Sequence, residues 1–423
     1  MKTICFNFNI HRAYRLKKYD FFDIGHNNFY FDELGTQTGA EKKNSEFVLP
    51  MFDMVESLTE KYGSKFKFSV TVSGIALSIQ EKYCPEIIKR YQNLVETGCV
   101  EFVGMPYNHS LCALTDEEEF VRQVKKHKSV LQRLIGVTPT TFRNTELIYT
   151  DKIGKAAYDL GFDTVLAEGV GPGLDSRGAG FLYFNPLQPR QHVITRNVSI
   201  SRILHDSLKD ISLFTPEYFA NKLCEISLEE DEIIYMGISF EHMDGSSGNR
   251  KQVPAFLKET IEKVMESGTF KFRTMSEASH KYEPVAPYHA SQPVSGMKRS
   301  HDLSPWQGNE LQKEALRKIT ALGKLVKASD NEILADIWER LQCSDYFYFM
   351  STDKLDYKTN PFKTPYDAFI SYMNIIDDLT RRLDQSIEKN KAANMTDQQI
   401  KDVISLYEKE IVSLRRKLAG KGK

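Results

Sequence analysis

Residues 66–103 read FKFSVTVSGIALSIQEKYCPEIIKRYQNLVETGCVEFV, and the order of patterns within them decides the fold. FKFSVTV (66–72) alternates apolar and small polar residues with period two, which predicts a strand. Pro85 then stands where a helix would open, since the first helical turn does not need its missing N–H, and Gly98 closes that helix. CVEFV (99–103) is a second short strand. Strand, helix, strand in this order means a βαβ unit and a parallel sheet.

The same alternation continues in both directions. Residues 2–10 suit a buried strand. Met51, Met54, Val55, Leu58 and Tyr62 form an i, i+3, i+4, i+7 stripe that Gly63 stops, which predicts a helix. Thr115, with Glu118 three residues on, reads as the capping box of a helix through about residue 135. Strands are expected at 140–145, at TVLAE (164–168), at IIYMGISF (233–240) and at FKFRTM (270–275), with helices ending at Gly161 and beginning at Pro254. Seven or eight such units over residues 1–285 predict a closed or nearly closed α/β barrel. A doubly wound open sheet is the alternative, although no GxGxxG turn supports a dinucleotide site.

Residues 286–423 change character. Pro284, Pro287, Pro293 and Pro305 mark a linker or a long loop over the barrel mouth, and the remainder is helical. Ile400, Ile404, Tyr407, Ile411, Leu414 and Leu418 repeat with 4,3,4,3,4 spacing behind a Thr396/Gln399 capping box. That helix is expected to pack on its own chain; the heptad spacing also allows a homodimeric coiled coil.

Composition narrows the function classes. Of 423 residues, 41% are apolar and 27% charged, and 56 basic side chains against 57 acidic ones leave a formal net charge of -1, which argues against a nucleic-acid surface. No run approaches the roughly 18 apolar residues of a membrane span. The first residues do not form a signal-peptide core. The six cysteines are scattered without a CxxC pair, and read as buried thiols in a reducing, cytoplasmic compartment.

In a parallel barrel the chemistry lies where strands end and loops begin. Four such ends carry polar residues that strand burial does not explain. His11 and Tyr14 follow the first strand and suit hydrogen bonding and stacking on a sugar; a basic strand end is the plain alternative. Glu101 sits inside an apolar strand, where a carboxylate needs a partner such as Arg143 or His109, or a ligand. Glu146 closes a strand beside Arg143 and Asn144, as a carboxylate kept ionised for nucleophilic attack would, or as one end of a salt bridge. Glu241, His242 and Asp244 follow a late strand and precede GSSGNR, which reads as a ligand loop. No HxH or HExxH spacing indicates a metal, and no cofactor motif is present.

Together these segments resemble glycoside hydrolase family 57. HRAYRL (11–16), FFDIG (21–25), GCVEFVG (98–104), FRNTELIY (142–149), DLSPWQGNELQKEAL (302–316) and LQCSDYFYFM (341–350) are similar to its successive motifs. The resemblance implies an incomplete (β/α)7 barrel followed by a helical bundle, and retaining cleavage of α-glucans or maltooligosaccharides. It makes Glu146 the nucleophile and Trp306 a residue facing the sugar. His11, Tyr14, Glu101, Asn144 and His242 become candidate substrate contacts. The late-strand motif departs from the family: where an aspartate acid follows a methionine, this chain has Met236-Gly237. It is similar to an α-amylase-like branch with an incomplete catalytic pair. Glu241 or Asp244 could replace the acid, activity could be weakened, or the protein could bind α-glucans without turnover.

Overall fold

The computed structural model describes residues 2–174, 177–209, 211, 214–226, 232–239, 252–297, 300–353 and 360–420. Nine strands form one sheet: β1 (Lys2–Ile10), β2 (Phe68–Val72), β3 (Val100–Phe102), β4 (Thr141–Arg143), β5 (Thr164–Glu168), β6 (Leu182–Asn185), β7 (Gln188–Arg196), β8 (Ile233–Ser239) and β9 (Phe270–Phe272). Seven run parallel in the order β3-β2-β1-β8-β7-β5-β4; off this path β9 also pairs parallel with β1, and β6 pairs antiparallel with β7. The ring closes through one parallel bridge, Gly104 to Phe142, in which the Gly104 N–H donates to the Thr141 carbonyl at 2.8 Å. The β7–β8 seam is equally thin, with the single pair Arg196–Tyr235. The fold is therefore the nearly closed seven-stranded α/β barrel with flanking helices and a C-terminal helical region, and not the open sheet.

The alternation that predicted β2 has a specific use. Phe66, Phe68, Val70 and Val72 pack with helices Leu49–Tyr62, Gly74–Tyr83 and Pro85–Glu96 in one core. Ser69 and Thr71, on the opposite phase, turn toward the barrel interior, where the Thr71 hydroxyl donates to Asn7 Oδ1 at 3.1 Å. In β1, likewise, Ile4, Phe6 and Phe8 join the outer core, whereas Asn7 and Asn9 share a side-chain hydrogen bond of 2.8 Å. The lumen is thus polar along β1 and β2, whereas Cys5, Leu166, Ile194 and Tyr235 belong to a separate apolar cluster.

Several expectations shift. The helix at Glu117–Ile135 is capped by Asp116, whose carboxylate accepts from the Glu119 N–H at 3.0 Å; Thr115 instead ends a preceding short helix. The β6–β7 hairpin and helices Val198–Lys209 and Pro216–Ile226 had no sequence expectation. The proline-rich stretch is tied along the barrel: Val294 bridges Tyr149 and Pro287 bridges Phe184. Of the cysteines, Cys224 is exposed and the other five are buried.

The helical region holds Trp306, Trp338 and helices Glu310–Ser329, Glu332–Leu341 and Pro365–Ala393 in a second core. Arg122 and Lys126 of the barrel helix both reach Glu339, and Tyr346 donates to the Tyr14 carbonyl at 2.7 Å. Contrary to expectation, the last helix, Asp397–Gly420, leaves its apolar stripe uncovered by the described residues of its own chain. Its capping box is present, but Ile404, Tyr407, Ile411 and Leu414 are 48–60% exposed.

Candidate active site

The site is built on a strained turn. Directly after β4, Glu146 (φ +49°) and Leu147 (φ +56°) both adopt the left-handed conformation, which costs a residue with a Cβ of order 1–3 kcal/mol. The fold holds them there. The Thr145 hydroxyl donates to the Ser110 carbonyl at 2.8 Å, the Asn144 amide to the Ile148 carbonyl at 3.0 Å, and the Gly296 N–H to the Glu146 carbonyl at 2.9 Å. His109 (φ +52°) and His301 (φ +54°) are strained in the same sense. Four of the five left-handed non-glycine residues among those described thus gather around one carboxylate, the pattern expected where backbone geometry serves a site.

The Glu146 carboxylate lies 3.5 Å from His109 Nε2. His109 is fixed from behind by Ser344 Oγ at 2.9 Å from Nδ1, and its ring stacks on His11 at 3.9 Å between centroids with planes 20° apart. His11 in turn contacts Ser73 Oγ (2.7 Å), Asp345 (3.3 Å) and Cys343 Sγ (3.5 Å). Two stacked imidazoles cannot both hold a proton at low cost, and their environments separate them. Burial opposes charge on His11, but the adjacent Asp345 carboxylate outweighs it and lifts the His11 pKa well above the usual value. Burial, the His11 cation and Arg143 all push His109 well below that value. The Glu146 pKa is raised on balance: burial, with a smaller push from Asp345, outweighs the pull of Arg143, His11 and Arg196 toward the ionised form.

His11, His109, Cys343 and Asp345 have ligand atoms within 4.8 Å of one another, close enough to consider a metal ion. The stack argues against all four acting at once. An imidazole binds a metal in its ring plane, and two nearly parallel planes 3.9 Å apart share no such point.

A cavity of about 330 Å³ opens at this carboxyl edge, lined among others by Asn9, Arg143, Glu146, Arg196, Gly237, His301 and Tyr348. Of the sequence candidates, Glu146 lines it, Asn144 holds its turn, and His11 stands behind His109. Tyr14 is buried beneath the Arg340 guanidinium, 4.3 Å from its ring, and does not line the cavity. Trp306 is 2% exposed and sits in the core of the helical region rather than facing the cavity. Glu101 pairs with neither Arg143 nor His109. It lies at the amino end of the barrel, in register with Ser69, and accepts from Thr141 Oγ1 (2.5 Å), Ser276 N (3.0 Å) and Ser69 Oγ (3.2 Å). Glu241, His242 and Asp244 lie outside the described residues.

The sequence profile of glycosyl hydrolase family 57 matches residues 5–290. The chain belongs to glycosyl hydrolase family 57. A Methanocaldococcus jannaschii protein, named provisionally as an α-amylase, is 26% identical over 413 residues, covering 92% of this chain and 86% of its own. Among solved structures, a family 57 branching enzyme from Thermococcus kodakaraensis superposes with a TM-score of 0.70 at 13% identity, covering 95% of this chain and 93% of that one. The α-amylase AmyC of Thermotoga maritima gives 0.61 at 13% identity, covering 95% of each. The 4-α-glucanotransferase of Thermococcus litoralis gives 0.65 at 14% identity, and the match covers 90% of this chain and only 60% of that enzyme. At these identities the superpositions speak for the fold, and the family match makes the chain a glycosidase-type protein.

As a family 57 member, the chain carries two instructive features at the cavity. Gly237 lines it, and a Cβ built there would meet Arg196 Cδ at 3.4 Å and the Tyr235 hydroxyl at 3.5 Å, ordinary contact distances. Room for a side chain therefore remains. The sequence reading missed Arg196, which comes from an unforeseen strand and is held by Glu168 (2.6 Å) and the Gly296 carbonyl (3.0 Å). It named His109 only as a possible partner of Glu101, and passed over Asp345 and Tyr348. The last two stood within the quoted LQCSDYFYFM motif, but nothing in the sequence said that they meet His11 and the cavity.

Proposed function

We propose that the protein is a retaining α-glucan hydrolase or glucanotransferase, with Glu146 as nucleophile and with activity weakened by the absence of an acid at Gly237. The observation that carries this is the position of Glu146: on a doubly strained turn at the carboxyl edge of the barrel, facing the cavity that Gly237 also lines. The Glu146 carboxylate would attack the anomeric carbon and form a glycosyl ester, which water or a sugar hydroxyl then resolves. In such enzymes the acid stands about 5–5.5 Å from the nucleophile and protonates the leaving oxygen, a contribution of roughly 10²–10⁴-fold. Without it, an aryl glycoside should react more readily than a maltooligosaccharide.

Residues 1–285 supply the nucleophile in this reading. Residues 286–423 complete the cleft through Gly296, His301 and Tyr348, with Asp345 behind His11. The buried thiols favour the cytoplasm. The exposed stripe on Asp397–Gly420 favours a homodimer. Ile404, Ile411 and Leu418 take one heptad position and Ile400, Tyr407 and Leu414 the other, and Glu410 would face Arg415 of a parallel second copy.

The test is turnover of maltooligosaccharides and an aryl α-maltoside by wild type and Glu146→Gln. Loss of all turnover in the variant supports the assignment, and unchanged turnover refutes it. Binding of maltooligosaccharide without turnover of either substrate by the wild type would favour a non-catalytic α-glucan binder, the reading that Gly237 also allows.

A further inference from the structure

The charge of the cavity does not suit a neutral glucan alone. Arg143, Arg196 and Arg202 line it, with His205 and His301, against the single carboxylate of Glu146 among the described lining residues. Glu168 balances Arg196. Arg143 is not tied into such a pair; the carboxylate it acts on is Glu146 itself, across the cavity. Arg143 is 6% exposed, no carboxylate comes within ion-pair distance of it among the described residues, and its Nε is buried without a hydrogen-bond partner there. A guanidinium held out of water without a directly paired anion is costly, and Arg is the side chain whose planar fork fits phosphate oxygens. The missing acid points the same way. A leaving group that departs as a stable anion needs no proton, and phosphate is such a group.

We propose that the cavity accepts an α-glycosyl phosphate as donor, with its phosphate on Arg143 and Arg202 and its anomeric carbon facing Glu146. This rests on Glu146 being the nucleophile. A Glu146 oxygen forms a bond to the anomeric carbon as the bond from that carbon to the phosphate oxygen breaks. The electron pair leaves on the phosphate, which departs as inorganic phosphate. In reverse, a phosphate oxygen attacks the same carbon and the carboxylate leaves. Neither direction transfers a proton through the position of Gly237, so the pair of steps exchanges inorganic phosphate with the glycosyl phosphate and retains configuration.

The experiment incubates the full chain with α-glucose 1-phosphate and radiolabelled inorganic phosphate, follows label entering the sugar phosphate, and measures aryl α-maltoside cleavage alongside. Inorganic phosphate binding is read separately by calorimetry. Exchange is expected in wild type and should vanish in Glu146→Gln while phosphate binding persists. Arg143→Gln should weaken phosphate binding by roughly 10–100-fold, the loss of a charge-assisted contact. Arg202→Gln, on an exposed helical position, weakens it in the same direction and serves if the buried variant does not fold. Aryl α-maltoside cleavage with neither phosphate binding nor exchange overturns this proposal and leaves the glucan reading standing. Exchange without aryl α-maltoside cleavage supports it and overturns the glucan reading. Phosphate binding without exchange in wild type refutes the donor step.

Discussion

Gly237→Asp tests directly whether a vacated acid position limits this protein. The backbone at Gly237 needs no left-handed conformation, and the new Cβ would meet its neighbours at 3.4–3.7 Å, ordinary contact distances. Replacing a strand glycine recovers about 0.5–1 kcal/mol of chain entropy, which offsets part of the cost of burying a carboxyl group beside Arg196. If the new carboxyl reaches the leaving oxygen, maltooligosaccharide turnover should rise by about 10²–10⁴-fold, or roughly 2.7–5.5 kcal/mol of barrier. Aryl α-maltoside turnover should rise by less than about tenfold, because a phenolate leaves without protonation. Phosphate exchange should fall, since the added negative charge repels the anion. The assay is reducing-end release and aryl release on both proteins, with a thermal melt to establish folding. A folded Gly237→Asp that binds maltooligosaccharide with unchanged turnover would refute the reasoning, and would move the search for an acid to Glu241 and Asp244.

Further outcomes follow from the same structure. The stacked histidines should centre their contribution to stability near pH 6.5, their ordinary pKa. The raised His11 pKa gives stability that is complete below pH 6.5 and lost as pH rises toward its folded value, so His11→Gln should remove an alkaline decline. The lowered His109 pKa costs stability as pH falls below 6.5, by up to about 1.4 kcal/mol per pH unit, so His109→Gln should flatten the acid side in urea titrations. Ile404→Glu combined with Ile411→Glu should convert a dimer to a monomer in light scattering with little change in melting temperature, because both side chains are about half exposed; an unchanged mass would sink the coiled-coil reading. Trp306→Ala should cost about 3–5 kcal/mol as a core truncation, with KM for maltooligosaccharide unaltered in the folded fraction. A raised KM at unchanged stability would instead restore Trp306 as a sugar contact.

The barrel was legible because its signals are local. The period-two run at 66–72, the apolar run at 233–239, Pro85 and Pro254 at helix starts, and left-handed Gly63, Gly98 and Gly161 at helix ends each depend on a few neighbouring residues. The β6–β7 hairpin was missed because polar Gln188–Gln191 breaks the apolar pattern, and its burial comes from neighbouring strands rather than from its own sequence. The last helix shows the converse. Its heptad fixed which face is apolar, but not what covers it.

Glu146 was found from its motif, and Gly237 from a departure in another. Sequence alone therefore determined the strand–helix alternation and the barrel class, and named Glu146 and Gly237 as candidates, since all of these reside in short contiguous segments. Tertiary structure decided which polar residues share the cavity. It sent Glu101 to the amino end, because register pairs it with Ser69, and it buried Trp306 and Tyr14. It also brought Arg196 from β7, and Asp345 more than 300 residues beyond His11, to the Glu146 site. Contacts between segments so distant depend on how strands close and helices dock, and no local pattern encodes them.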